Sequence, residues 1–250
     1  MDAGGCSGIG LGLVRHLLSS PSDQQQQQQQ WRVVLADIRP EAYAAISATL
    51  DPARHTFIHT DVASWDSQAS LFRRAYDWGG GKIDFFAANA GTAEREHITL
   101  GNPLHAEDVD DEPTQPNMLC TQVNQIGVFY GLKLFVHYTR RTAKRLKGGS
   151  AEATSGGSSD SGTFVPKMVI TSSCSALYPF PVAPEYCATK HAVLALTRSL
   201  GPLVYATDGI ALNCIMPAYV ATNLTPKEVT DLWPKEWITP VETVSMAMWT

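Results

Sequence analysis

Tyr186 and Lys190 have the side-chain types and the spacing of a general base and the cation that activates it. They lie four residues apart in a segment with a helical pattern, so they share one face of the helix. On that face the ammonium can stabilise the phenolate and lower the pKa of the phenol towards neutrality. Ser173, thirteen positions before Tyr186, ends an apolar run and can place its hydroxyl in the same pocket. These three side chains predict proton transfer to or from an oxygen atom of a small molecule.

The glycine-rich segment 4–10 leads directly into a helical pattern. Glycines there let the backbone approach a pyrophosphate, and the helix N-terminus stabilises the negative charge; a tight turn without a ligand is the alternative. Asp37 ends the next strand pattern, where its carboxylate can accept both ribose hydroxyls of NAD and would repel the 2′-phosphate of NADP. Ser7 in the turn is not basic either, which favours NAD. Arg39 keeps NADP as an alternative, and Asp37 as a simple helix N-cap is another.

Two further strand ends supply candidate cofactor contacts. Asp61 and Val62 close one strand pattern, where a contact to adenine would fall, although an Asp there is otherwise a cap or turn residue. The segment Asn89-Ala90-Gly91 follows another apolar run, and its backbone can lie against the cofactor ribose. A loop in which Asn and Gly adopt unusual backbone angles is the alternative for that segment.

The composition is that of an ordinary globular protein. The 250 residues are 44% hydrophobic and 17% charged. A formal charge of −5 favours neither nucleic acid nor an anionic membrane as a partner. No apolar run approaches the roughly eighteen residues that span a bilayer, and no secretory signal precedes the domain. The five scattered cysteines are typical of reduced thiols, so we expect a cytoplasmic protein.

The seven histidines show no convincing metal-ligand spacing. His55 and His59 lie four residues apart, but their segment has a strand pattern. We therefore expect no metal site, and a zinc site at this pair is the weaker alternative.

Short apolar runs alternate with longer amphipathic stretches, which is the signature of βαβ units and a parallel sheet. The sequence therefore predicts an α/β fold with a doubly wound parallel sheet. The predicted helices are 9–18, 41–50, 64–76, 118–146, 184–206 and 241–248, and the predicted strands are 32–37, 55–61, 82–88, 165–172 and 209–216.

The two ends of the chain depart from this pattern. The glycine-rich turn begins at Gly4, which leaves no room for the strand that precedes such a turn in a doubly wound sheet. The chain stops at Thr250 inside a helical pattern. We therefore expect one Rossmann-type domain, residues 1–250, truncated at both ends and lacking the first strand and the C-terminal strand.

Two low-complexity segments fall at helix-to-strand connections, where insertions are tolerated because few contacts cross them. Residues 23–30 contain a glutamine run, and residues 148–163 are rich in glycine and serine. Both compositions are typical of disordered surface loops.

The motifs, taken in order, resemble those of the short-chain dehydrogenase/reductase family. The shared residues are the Gly4-x-x-x-Gly8-Ile9-Gly10 turn, Asp37, Asn89-Ala90-Gly91, Asn124, Ser173 and Tyr186-x-x-x-Lys190. Within the family, segments 186–191 and 197–199 are most similar to the NAD-dependent 15-hydroxyprostaglandin dehydrogenase-like group. The resemblance implies a seven-stranded parallel Rossmann sheet with helices on both faces.

The resemblance also implies a role for each matching residue. Tyr186 would be the general acid/base, Lys190 would bind the nicotinamide ribose and lower the tyrosine pKa, and Ser173 would hydrogen-bond the substrate oxygen. Asn124 would hold a water molecule of the proton relay, and Thr222 would bind the nicotinamide carboxamide. The full set of expected cofactor contacts is Gly4, Ser7, Gly8, Ile9, Gly10, Asp37, Asp61, Val62, Asn89, Ala90, Gly91, Tyr186, Lys190, Pro217, Val220 and Thr222.

The expected activity is reversible hydride transfer between NAD(H) and a small-molecule secondary alcohol or ketone. Two alternatives stay open: a truncated NAD-binding paralogue without activity, and an NADP-dependent carbonyl reductase. The predicted helices 118–146 and 184–206 correspond to those that pair across subunits in family dimers and tetramers. The resemblance therefore implies that a homodimer or homotetramer can form.

Overall fold

The computed structural model describes residues 1–19, 31–100, 110–149 and 165–249. The strands are β1 (Asp2–Ala3), β2 (Val33–Asp37), β3 (His55–His59), β4 (Phe85–Ala88), β5 (Lys167–Thr171) and β6 (Ala211–Ile215). The helices are α1 (Gly8–Ser19), α2 (Pro40–Ile46), α3 (Trp65–Trp78), α4 (Leu119–Thr121), α5 (Gly127–Gly149), α6 (Pro184–Asp208), α7 (Lys227–Thr230) and α8 (Val241–Trp249). A π-helical turn, Gln122–Ile126, joins α4 to α5, and short 3-10 turns occupy Ser47–Thr49, Cys174–Ala176 and Lys235–Trp237.

The six strands form one parallel sheet in the order β3-β2-β1-β4-β5-β6. The order reverses between β1 and β4, as in doubly wound folds, and ligands bind beyond the carboxyl ends of the strands at such a point. The predicted fold class is therefore confirmed. The strand ends that carry candidate site residues all lie at this one edge of the sheet.

The prediction that the first strand is missing is wrong. Asp2 and Ala3 form a short central strand that pairs in parallel with β2 on one side and with β4 on the other. A hydrogen bond of 2.9 Å from the amide of Ala87 to the carbonyl of Met1 extends this ladder. Two residues suffice because both neighbouring strands supply partners. Beyond β6, the described residues to position 249 form no further strand.

The side chain of Asp2 destabilises this central strand. It is buried, and neither carboxyl oxygen has a hydrogen-bond partner. Burial raises the pKa of Asp2 to about 7; the N-terminal ammonium opposes this rise, and Asp37 adds to it. A buried polar group without a partner costs free energy of folding, so the strand is held by its backbone and its neighbours.

Apolar side chains cover both faces of the sheet. On one face, Phe72 of α3 and Phe135 of α5 pack with Phe86 of β4, and the ring centroids of Phe72 and Phe86 lie 5.1 Å apart. On the other face, Leu13 of α1 packs with Leu35 of β2. These two layers are the helical coverings that the alternating sequence pattern predicts.

Helix α8 packs directly against α1. Ser245 donates a hydrogen bond of 3.0 Å to the carbonyl of Ile9, a residue 236 positions earlier. Gly12 allows this approach, because a Cβ at that position would collide with Ser245 Oγ and lie 2.8 Å from a methyl group of Val241. Helix α8 therefore supports the helix that follows the glycine-rich turn.

Both predicted low-complexity loops fall largely outside the described residues. The 23–30 segment does so entirely, whereas α5 continues to Gly149, so the first two residues of the predicted 148–163 loop belong to a helix. In the ranges that the structure describes, no helix has both the length and the apolar character to cross a membrane.

Candidate active site

Tyr186 and Lys190 lie at the start of α6, on the same side of the helix. Lys190 Nζ lies 5.3 Å from the centroid of the Tyr186 ring. The lysine is buried and donates a hydrogen bond of 2.9 Å to the carbonyl of Thr171, at the carboxyl end of β5. Helix α6 thus brings the predicted base and its predicted cation to the edge of the sheet where the strands end.

Burial dominates the ionisation of both side chains. Desolvation raises the pKa of Tyr186 to about 12, and a hydrogen bond with Ser173 only partly opposes it. Desolvation also lowers the pKa of Lys190 to about 8. The expected lowering of the tyrosine pKa by the lysine is therefore not found in this structure. The reason is geometric, because the ammonium is directed at the Thr171 carbonyl while burial penalises the phenolate.

Ser173 follows β5 and has extended backbone geometry. Its Oγ accepts a hydrogen bond of 3.1 Å from the amide of Ser175 and donates one of 3.2 Å to the Ser175 hydroxyl. The preceding Ser172 donates a hydrogen bond of 2.9 Å to the carbonyl of Lys190, which fixes the end of β5 against α6. This arrangement brings Ser173 beside Tyr186, as the sequence predicts.

Asn124 lies in the π-helical turn that interrupts the predicted continuous helix 118–146. It is almost completely buried. Its Oδ1 accepts a hydrogen bond from the amide of Thr92, and its Nδ2 donates one to the Thr92 carbonyl, both of 2.9 Å. A Cβ added at Gly91 would lie 3.3 Å from Asn124 Oδ1 and 3.9 Å from Lys190 Nζ. A glycine at that position therefore lets the loop after β4 approach both side chains.

The glycine-rich turn folds back tightly on itself at the end of β1. Gly4 has a φ of 84° and Gly8 a φ of 52°, values that favour glycine. A Cβ at Gly10 would collide with the carbonyl of Gly4. A Cβ at Gly8 would lie 3.1 Å from the side chain of Thr222, so the segment after β6 that contains Pro217 lies over the turn.

Asp37 lies at the end of β2, buried beside the glycine-rich turn. Its carboxylate accepts hydrogen bonds from the amides of Cys6, at 3.3 Å, and Arg39, at 3.1 Å. The Arg39 guanidinium donates a hydrogen bond of 2.9 Å to the hydroxyl of Ser7. A carboxylate and a cation therefore flank the same turn.

Of the remaining predicted cofactor contacts, some lie against the glycine-rich turn and others do not. Asn89 and Ala90 touch the turn, because a Cβ at Gly4 would lie 2.9 Å from Ala90 Cα and 3.2 Å from Asn89 Nδ2. Asp61, at the end of β3, accepts a hydrogen bond from the amide of Ala63, as in its alternative interpretation as a turn residue. The side chain of Val62 packs against the core and lines a small cavity together with Ala90. Ile9 lies between Gly8 and Gly10 in the first turn of α1, and Val220 lies between Pro217 and Thr222 in the segment after β6.

Three residues of this region have no counterpart in the sequence prediction. Thr92 holds Asn124, as described above. Glu185 is buried and accepts hydrogen bonds from the amide and the hydroxyl of Thr121, at 2.7 and 2.8 Å. Glu94 accepts a hydrogen bond from a backbone amide in the first turn of α6. The position of Glu185 in the first turn of a predicted helix could have indicated a structural role, because acidic residues are favoured there. No pattern in the sequence marks Thr92 or Glu94.

The described part of the chain contains no group of three or more His, Cys, Asp or Glu side chains that could hold a metal ion. His55 instead lies 3.2 Å from the hydroxyl of Tyr43 and 2.6 Å from the carbonyl of Asp51.

A family model described as short chain dehydrogenase matches residues 3–150 and 161–233. The short-chain dehydrogenase/reductase prx6 of Penicillium rubens is 31% identical over 239 residues, which are 95% of this chain and 70% of that protein. A second protein of that fungus, prx7, is 31% identical over 216 residues, 86% of this chain and 69% of its own length.

Solved structures show the same fold. The 3-ketoacyl-(acyl-carrier-protein) reductase from Brucella melitensis, complexed with NADH, aligns with a TM-score of 0.72 at 17% identity, covering 98% of this chain and 86% of its own. A short chain dehydrogenase/reductase from Burkholderia phymatum in complex with NAD aligns with a TM-score of 0.63 at 22% identity, covering 95% and 70%.

Proposed function

This chain belongs to the short-chain dehydrogenase family, and we propose that it transfers a hydride reversibly between NAD(H) and a secondary alcohol or ketone. The observation that carries the proposal is the meeting of Tyr186, Lys190 and Ser173 at the carboxyl edge of the sheet, beside a glycine-rich turn.

The residues present fit a dinucleotide. Gly4, Gly5 and Gly8 leave backbone without side chains at the turn between β1 and α1, where a pyrophosphate could approach, and the first amides of α1 have no partner within the helix. The Asp37 carboxylate lies beside that turn, where it could accept hydrogen bonds from the hydroxyls of a ribose. We assign the adenine side to Asp61 and Val62, the nicotinamide ribose to Asn89, Ala90 and Gly91, and the carboxamide to Pro217, Val220 and Thr222.

In the proposed reaction the substrate alcohol loses a proton from its oxygen and a hydride from the same carbon. Tyr186 would accept that proton as the phenolate, so its phenolic oxygen must lie within hydrogen-bond reach of the carbinol oxygen. Because burial raises the pKa of Tyr186 to about 12 in this structure, the phenol must first lose its own proton for the oxidation to proceed. Ser173 holds that oxygen in place. Lys190, protonated at neutral pH because its pKa is about 8, supplies a positive charge in a desolvated site where its effect is strong. NAD, when bound, supplies the hydride acceptor, and Asn124 holds a water molecule behind Lys190.

Two rates and one binding measurement test this proposal. Wild-type protein should oxidise secondary alcohols with NAD, and Tyr186→Phe should abolish turnover while NAD still raises the unfolding temperature. Turnover retained by Tyr186→Phe would contradict the role of the tyrosine. Cofactor binding without turnover by the wild type would favour the non-catalytic paralogue.

NADP dependence is a second candidate, because the Arg39 guanidinium lies 2.9 Å from Ser7 Oγ and could meet a 2′-phosphate. The NADP-dependent dehydrogenase clz5 of Cochliobolus lunatus is 25% identical to this chain. We favour NAD because the Asp37 carboxylate faces the same turn. The similarity of segments 186–191 and 197–199 to the 15-hydroxyprostaglandin dehydrogenase-like group stays a prediction.

We also propose that α5 and α6 form a subunit contact. The side chains of Phe129 and Leu203 on these helices are exposed. Light scattering coupled to size-exclusion chromatography should give the mass of a dimer or a tetramer. The mass of a monomer would contradict the contact.

A further inference from the structure

Large apolar side chains are exposed on the connection between Ser173 and Tyr186. This connection leaves the sheet after β5 and returns at the first turn of α6, so it borders the two residues that we assign to the substrate oxygen. Its exposed apolar side chains are Leu177, Tyr178, Phe180 and Val182.

A second segment extends the same surface. Ile98 and Leu100, which follow β4, are also exposed. His97 Nε2 lies 2.9 Å from the carbonyl of Pro181, and this contact ties the two segments together. We name the exposed side chains together the apolar rim, which consists of Ile98, Leu100, Leu177, Tyr178, Phe180 and Val182. Exposed apolar side chains gathered on two neighbouring segments favour a binding surface.

The charged side chains beside the apolar rim are mostly acidic. Glu94, Glu96 and Glu185 lie in or next to the two segments. Within residues 92–100 and 174–186, all of which the structure describes, Arg95 is the only lysine or arginine. Lys190 is buried behind them and donates to Thr171. A phosphate or carboxylate of a substrate would therefore find carboxylates and few cations at the entrance.

We propose that the substrate is a bulky, mainly apolar secondary alcohol or ketone that carries no anionic group. This inference rests on the proposed function. The apolar rim takes up the apolar body of the substrate, while Ser173 and Tyr186 hold its oxygen. Acyl groups carried on coenzyme A or on phosphopantetheine are disfavoured, because their phosphates would meet Glu94 and Glu96.

Two series of matched substrates test whether the substrate is mainly apolar and whether it lacks an anionic group. The purified chain should reduce 2-alkanones with NADH, and kcat/KM should rise about threefold to fourfold for each methylene that becomes buried. The same 3-oxoacyl group should be reduced at least about tenfold better as a neutral N-acetylcysteamine thioester than as the coenzyme A thioester. A kcat/KM that does not depend on chain length, or a coenzyme A thioester that is equal or better, would overturn the inference.

A matched pair of variants tests the location. Tyr178 in the apolar rim is 68% exposed, and Tyr205 near the C-terminal end of α6 is 65% exposed. Tyr178→Ser should raise the KM of the longest ketone at least about fivefold and leave that of the shortest unchanged, because only the long chain reaches the rim. Tyr205→Ser should change neither KM. Equal effects of the two substitutions would place the binding surface elsewhere and overturn the inference.

The outcomes also separate the inference from the proposed function. No turnover of any ketone with either cofactor would overturn both. Turnover confined to small or anionic substrates would overturn the inference alone.

Discussion

Glu94 Oε2 accepts a hydrogen bond of 3.0 Å from the backbone amide of Tyr186, which lies 92 residues further along the chain. Ala183, the N-cap of α6, makes no side-chain capping bond, and the first amides of a helix have no partner within it. A residue from the loop after β4 therefore caps the helix that carries Tyr186. Thr92, two residues earlier in the same loop, holds Asn124.

The first prediction concerns this cap. Loss of an N-cap acceptor costs about 1 kcal/mol, so Glu94→Ala should lower the kcat for a secondary alcohol several-fold and leave the KM for the cofactor unchanged. Glu94→Gln retains an oxygen that can accept the bond and should restore most of kcat. Steady-state kinetics measure both. Glu96→Gln, which removes the neighbouring charge and keeps an acceptor for the amide of Asn117, is the control. An alanine variant as fast as wild type would show that the cap does not position Tyr186.

The second prediction concerns cofactor choice. Asp37→Ser removes the carboxylate that would repel a 2′-phosphate, while Arg39 stays beside Ser7. The ratio of kcat/KM for NADP to that for NAD should therefore rise at least about tenfold, since one hydrogen bond to a charged group is worth about 1.5–3 kcal/mol. Arg39→Ala should move the ratio in the opposite direction. An unchanged ratio in both variants would mean that this turn does not select the cofactor.

The third prediction concerns pH and the buried Asp2. Its folded-state pKa of about 7 lies above the ordinary value of 3.8, so the fold accommodates the protonated acid. The stability associated with this group is complete below pH 4 and is lost as the pH rises through 7. The neutral Asp2→Asn variant should match wild type near pH 4 and unfold about 5 °C higher at pH 8.

The comparison in this third experiment is made between the two proteins at each pH. The Met1 ammonium, whose pKa burial lowers to about 6, changes stability in the opposite direction over a nearby range. Thermal unfolding followed from pH 4 to 8 checks the difference. A difference in unfolding temperature between the two proteins that is the same at every pH would contradict the raised pKa of Asp2.

The fourth prediction concerns the contact between α1 and α8. Gly12→Ala should lower the unfolding temperature, because its methyl group would collide with Ser245 and crowd Val241. Ser245→Gly removes the colliding side chain, so the double variant should lose less stability than the sum of the two single variants. Strictly additive losses would contradict the contact. Thermal unfolding of all four proteins measures the coupling.

Residue types and order along the chain predicted the fold class and the proximity of Tyr186, Lys190 and Ser173. These three residues could be singled out because the proposed chemistry requires their types and because helix and strand geometry fix their directions. The alternation of apolar runs predicted five of the strands for the same reason.

The misses have physical causes. Strand β1 has only two residues, too few to show any alternation, and it exists because β2 and β4 leave a place between them. The π-helical turn at Asn124 inserts a residue without changing the apolar pattern enough to be seen. The raised pKa of Tyr186 depends on how completely the folded chain excludes water, which no local pattern encodes. Glu94 caps a helix that is distant in sequence, so the residues near it in the chain do not indicate this role.

The bond from Ser245 to Ile9 has a consequence for the synthesis of the protein. The helix behind the glycine-rich turn is made more than two hundred residues before the helix that supports it. Until α8 has been made, α1 therefore has an unshielded apolar side, which is a natural target for chaperones. Folding dominated by contacts so far apart in sequence is intrinsically slow. The glycine-rich turn should accordingly reach its final packing only after α8 has been made.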